Sequence, residues 1–85
     1  MLHEIAAAIA KVTREPVDLS QLKNSKALVA DLGLNSITRM RLIMQLERSL
    51  QIEIDLEQID ITVFNSLEQL EQYIQHHSKA IPGSN

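Results

Sequence analysis

Ser36 is the side chain whose setting points most directly to chemistry. It lies within Asp31-Leu32-Gly33-Leu34-Asn35-Ser36-Ile37, and that frame feeds into a helical run. The sequence has no cysteine and no tryptophan, and its histidines, His3, His76 and His77, sit in the terminal segments. A serine with no neighbouring base is a weak nucleophile. At the mouth of a helix it is instead a good handle for another enzyme to modify. No Ser-His-Asp set or carboxylate pair finds a pocket in so short a chain, so no catalytic residue is expected. Glu53, Asp55, Glu57 and Asp60 are close together but lack the glycine and ligand spacing of a calcium loop. They read as a solvated acidic face, His76-His77 read as part of a mobile tail, and no metal site is expected.

The elements that must position Ser36 come from a chain of 85 residues, one domain in size. Such a domain buries only about 60–65% of its unfolded surface. Apolar residues make up 45% of the sequence, but the aromatics are one Tyr and one Phe, so the core is expected to be aliphatic. Two Gly and two Pro are too few breakers for many short strands. Zero cysteines exclude a disulfide framework or a cysteine zinc site and fit a cytoplasmic location. No run approaches the ~18 apolar residues of a membrane span, and no basic-then-apolar leader opens the chain. A net charge of −3 argues against general nucleic-acid binding. Neither a nucleic-acid nor a membrane partner is expected, and the protein is expected to be a monomer.

Apolar spacing predicts an all-α fold, a small four-helix bundle of three longer helices and one short one with a long first loop. Leu2, Ile5, Ala6, Ile9 and Val12 recur at helical period over residues 2–13, with His3, Glu4 and Lys11 opposite. Pro16 stops that helix. Residues 15–35 form a long connection pinned by scattered apolar side chains, with room for a helical turn near Ser20–Lys23. Asn35 is a good N-cap for the clearest helix, residues 36–50. On that helix Leu42, Ile43, Leu46 and Leu50 share one arc, and Ile37, Met40 and Met44 form a second arc beside it. Together they cover more than ~200° of the wheel, wider than a surface helix needs. Either the helix is sandwiched, or the second arc is an exposed contact stripe beside Ser36, a use to which methionine is suited. Asp55 is expected to cap a short helix over Leu56–Ile61. Ser66-Leu67-Glu68-Gln69 reads as a capping box opening the last helix. Residues 1–75 form the domain, and 76–85 read as a flexible C-terminal tail.

This arrangement resembles the acyl and peptidyl carrier proteins over nearly the whole chain, from about residue 2 to residue 75. The closest likeness is Asp31-Leu32-Gly33-Leu34-Asn35-Ser36-Ile37, similar to the family's aspartate-leucine-glycine-x-aspartate-serine-leucine signature. Leu42, Met44, Leu46 and Glu47, the Ile52-Glu53-Ile54 segment and the Thr62–Leu67 stretch also fit. The resemblance implies that a phosphopantetheinyl transferase attaches 4′-phosphopantetheine from coenzyme A to Ser36, and that the arm's thiol then holds cargo as a thioester. The chain itself would be a non-catalytic substrate of its partners: a loading enzyme of adenylation or acyltransferase type, then synthase or tailoring enzymes. The partner-docking residues so implied are Asn35, Ile37, Met40, Arg41 and Met44.

Two departures from the family pattern are informative. Asn35 stands where the family usually has Asp, which keeps the cap but removes a negative charge. Arg39, Arg41 and Arg48 occupy a helix that is typically acidic in fatty-acid-synthase carriers. Reversed charge would disfavour basic synthase surfaces. The expectation is therefore a free-standing carrier in polyketide or nonribosomal-peptide biosynthesis, with a housekeeping fatty-acid carrier as the alternative. Arg39 falls on the core-facing arc, so it either snorkels outward or meets the arm or cargo; Glu47 and Arg48 read as solvated surface charges. A cofactor-free helical interaction domain using Ile37, Met40 and Met44 is the competing class. A helix-turn-helix reader fails on the long first loop.

Overall fold

A computed structural model of the protein describes residues 1–81. Its longer helices are α1 (Leu2–Thr13), α4 (Ser36–Leu50) and α5 (Leu67–His76), where the apolar spacing places them. The all-α bundle is the observed architecture. α1 packs chiefly on α4, contributing Ile5, Ala8 and Ile9 against Leu42, Ile43 and Leu46, all buried. Alanine at position 8 lets the two helices approach closely. α5 closes the core with Leu67, Leu70, Tyr73 and Ile74, and Phe64 supplies the one buried Phe. Each fully buried Leu or Ile contributes about 1.5–3 kcal/mol, so an aliphatic core suffices for a domain of this size.

The long first connection is more structured than its irregular pattern suggests. It contains α2 (Leu19–Asn24) and α3 (Leu28–Leu32). α2 has a built cap: Asp18 Oδ1 accepts from the backbone N–H of Ser20 at 2.9 Å. Its single fully buried residue is Leu22, and α3's is Leu28. Leu28 N–H also donates to the carbonyl of Asn65 at 3.0 Å, which ties this connection to the segment before α5. The helical turn expected near Ser20–Lys23 is α2, whereas α3 carries too few repeats to show a period and was hidden in the sequence.

Two expectations are corrected beyond α4. The short helix is not an α-helix over Leu56–Ile61 capped by Asp55. It is a 3₁₀ turn over Ile61–Phe64, and Asp60 caps it by accepting from Thr62 N–H at 2.8 Å. Asp55 instead closes a local turn, accepting from Glu57 N–H at 2.9 Å. The tail is also shorter than expected. His76 completes α5, and Ser78–Ala80 form strand β2, antiparallel to β1 (Ile52–Ile54), with Ile52 opposite Ala80 and Ile54 opposite Ser78. Asp55 N–H donates to His77 O at 2.7 Å, Tyr73 donates its phenol to Asp55 O, and its ring stacks on His77 at 4.4 Å. Sequence periodicity could not reveal a three-residue strand whose partner is 26 residues away. The rest of the expected tail, residues 82–85, lies outside the described residues.

Candidate functional site

The approach to Ser36 is built by three local devices. Gly33 ends α3 in the left-handed conformation, φ 64°, and Leu34 N–H returns to Val29 O at 2.9 Å. A Cβ at Gly33 would meet nothing within 4 Å, so the position needs glycine for its backbone angle and not for space. Leu34 then plunges into the core, 1% exposed, and anchors the loop one residue before the cap. Asn35 caps α4 as expected, its Oδ1 accepting from Thr38 N–H at 2.9 Å and from the Thr38 hydroxyl at 3.0 Å. Ser36 is the first residue of α4 and is exposed.

Asp31, the first residue of the signature, does not face Ser36. Its carboxylate accepts from the Ser25 hydroxyl at 2.6 Å, and Ser25 Oγ accepts from Ala27 N–H at 3.2 Å. It therefore ties the α2–α3 connection to α3. Ser25 has no motif around it, and sequence reasoning missed it.

The two arcs of α4 separate cleanly. Leu42, Ile43 and Leu46 are buried, whereas Ile37, Met40 and Met44 are 64%, 50% and 51% exposed. The sandwiched-helix alternative is excluded by those exposures. Arg41 and Arg48 are also exposed and fall on the same outward arc at ~100° per residue. Glu47 does not face solvent as a free charge: its Oε2 accepts from Ile54 N–H at 2.9 Å and binds α4 to β1. The outward arc is thus apolar at its centre, with Arg41 and Arg48 along one side.

Arg39 is half-buried, and its Nη1 donates to the carbonyl of Leu34 at 2.6 Å. It neither snorkels freely nor extends outward; it bends back over the residue that precedes the cap. Beside it a groove of about 340 Å³ opens next to Ser36, walled by Met40 and Ile43 of α4 and by Leu56, Ile61 and Phe64 across from them. Arg39 and Asp60 are its charged side chains. The bonds from the Thr62 side chain and backbone hold the Asp60 carboxyl below the usual carboxylate range.

A family model described as a phosphopantetheine attachment site matches residues 3–74. The chain belongs to that family. No solved structure matches it. As a family member it is a phosphopantetheine-carrying carrier domain, and domains of this kind work with a phosphopantetheinyl transferase and with partner enzymes. The residues present suit the group. An exposed serine at the start of a helix could supply an attachment oxygen, and the groove beside it is lined mostly by apolar side chains, with Arg39 and Asp60 as its charged ones. The helix start also carries positive dipole character suited to a phosphodiester.

Elsewhere, Glu53, Asp55, Glu57, His76 and His77 line an open depression of about 440 Å³. Among the described residues no three such side chains gather to hold a metal, and no helix is long and apolar enough to cross a membrane.

Proposed function

We propose that Ser36 is the attachment point of 4′-phosphopantetheine and that the protein holds acyl or aminoacyl intermediates as thioesters for a biosynthetic line. The placement of Ser36 carries this reading: an exposed hydroxyl on the first turn of α4, fixed by the Asn35 cap and the Gly33 turn at the edge of an apolar groove. In the loading step the Ser36 oxygen bonds to phosphorus of coenzyme A. The bond to the adenosine bisphosphate leaving group breaks, and the hydroxyl proton passes to the transferase. Once bound, the group supplies the thiol that this cysteine-free chain lacks. The chain's own part is to hold the attachment oxygen on a rigid base and to present a surface for recognition, with no catalytic residue of its own.

The docking surface in this reading is Asn35, Ile37, Met40, Arg41 and Met44. Exposed apolar side chains provide adaptable contact area, and Arg41, with Arg48 along the same arc, selects partners that offer acidic or neutral groups. A basic rim favours a specialised polyketide or nonribosomal-peptide pathway over housekeeping fatty-acid synthesis. The protein would act as a monomer in the cytoplasm. Incubation of the apo protein with coenzyme A and a broad-specificity transferase tests the reading: intact mass should rise by one phosphopantetheinyl group. Competition between adenylation-type and acyltransferase-type loading enzymes then distinguishes aminoacyl from acyl cargo.

A further inference from the structure

Among the described residues Arg39 is the sole basic side chain lining the groove beside Ser36. It lies three residues along α4 from Ser36, and residues at that spacing are neighbours on a helix surface. Helical side chains lean toward the N-terminus, and Arg39 does so visibly, since its Nη1 reaches Leu34 O at 2.6 Å. A guanidinium has five N–H donors in a planar fork, and that bond uses one. Among the described residues no carboxylate lies within ion-pairing distance of it. Asp60, the acid of the same groove, accepts from the Thr62 N–H and hydroxyl through Oδ1 alone and stays a charged carboxylate, yet it makes no ion pair with Arg39. The groove therefore holds a half-buried cation with spare donors, next to the oxygen that would carry a phosphodiester.

We infer that Arg39 anchors the root of the prosthetic arm: it keeps the Leu34 carbonyl with one donor and pairs with the phosphodiester on Ser36 with others. This rests on Ser36 being the attachment site. Arginine is suited to the task because its fork can serve a carbonyl and a phosphate together, whereas a lysine ammonium is a single point charge on a flexible stem. The bond to Leu34 preorganises the cation before the group arrives. Arg39 is then a cofactor-binding residue, distinct from Arg41 and Arg48 on the outward arc.

The test compares apo and holo forms of the wild type with those of Arg39→Gln and Arg39→Lys, loading being verified by intact mass. Loss of the Leu34 bond lowers the melting temperature of apo and holo forms alike, so it cancels in the change on loading. In the wild type, loading should raise the melting temperature by about 2–4 °C at low salt, with the rise shrinking as salt increases. In Arg39→Gln the rise should vanish, and the phosphorus-31 resonance of the phosphodiester should shift from its wild-type position. Arg39→Lys should keep less than half the rise, and it decides the matter should Arg39→Gln not fold. Full mass gain with the same rise in every folded variant, and an unmoved phosphorus resonance, would overturn the inference alone. An unchanged mass would overturn the attachment reading and this inference with it.

Discussion

Ser25 donates its hydroxyl to the carboxylate of Asp31 at 2.6 Å while accepting the backbone N–H of Ala27 at 3.2 Å, so one hydroxyl fastens α3, the last helix before Ser36. Removing it should loosen α3 without touching the core. Ser25→Ala should lower stability by about 0.5–1.5 kcal/mol, seen as a lower urea midpoint with an unchanged slope. Asp31→Ala should cost about as much, and the double variant less than the sum, because the two side chains share one bond.

The buried and exposed arcs of α4 should differ sharply in energetics. Leu46→Ala empties a fully buried site and should destabilise the fold by about 2–5 kcal/mol. Met44→Ala, half exposed, should change stability by less than about 0.5 kcal/mol yet slow turnover with partner enzymes. Equal losses of stability at both positions would contradict a docking role for the stripe.

Charge on that arc should encode partner choice. Arg41→Glu with Arg48→Glu should slow loading by the cognate enzyme several-fold at low salt. The defect should shrink as ionic strength rises, since exposed charges are screened beyond ~8–10 Å. Cognate rates that are salt-independent and unchanged by the substitutions would make these arginines bystanders.

Stability should fall in alkali through Tyr73. Burial first, then the charges of Asp55 and Asp60, raise the phenol above its ordinary value of 10.0. The folded state thus favours the neutral phenol more than the unfolded state does. Its contribution is complete below about pH 10 and is lost as pH climbs through the raised folded value. Tyr73→Phe should cost about 1 kcal/mol at neutral pH, by leaving Asp55 O without its donor. It should also flatten the decline in melting temperature measured between about pH 8 and 12.

The helices that position the site were legible because they are long enough to repeat. α1, α4 and α5 each carry several apolar turns, and Asn35 and Ser66 accept the backbone bonds their types suggest. The Ser66–Gln69 box is only half formed: Gln69 N–H reaches Ser66 Oγ at 3.1 Å, while the Gln69 side chain accepts from the Ser66 hydroxyl at 3.4 Å. What escaped the sequence depends on contacts between distant residues. Asp60, not Asp55, became the cap because the chain after β1 is held by Tyr73 and His77 through Asp55. The pairing of Ser78–Ala80 with Ile52–Ile54 has no local signal at all.

At the site, the position of Ser36, the Asn35 cap and the two-arc character of α4 followed from spacing and residue type. Arg39 could be placed at the rim of the core from the helical wheel, but its bond to Leu34 needed the path of the loop. Glu47 and Arg48 look equivalent in sequence. Only the approach of β1 shows that Glu47 is spent on Ile54 N–H, leaving Arg48 as the exposed charge.

The central claim is that Ser36 carries the arm, and locating the adduct by mass tests it most directly. Apo protein treated with coenzyme A and transferase should gain a single phosphopantetheinyl group. Fragmentation should place it on the peptide containing Ser36, and Ser36→Ala should gain nothing while melting within a few degrees of wild type. A group found on another residue, an undiminished gain in Ser36→Ala, or no gain with several transferases would contradict the account.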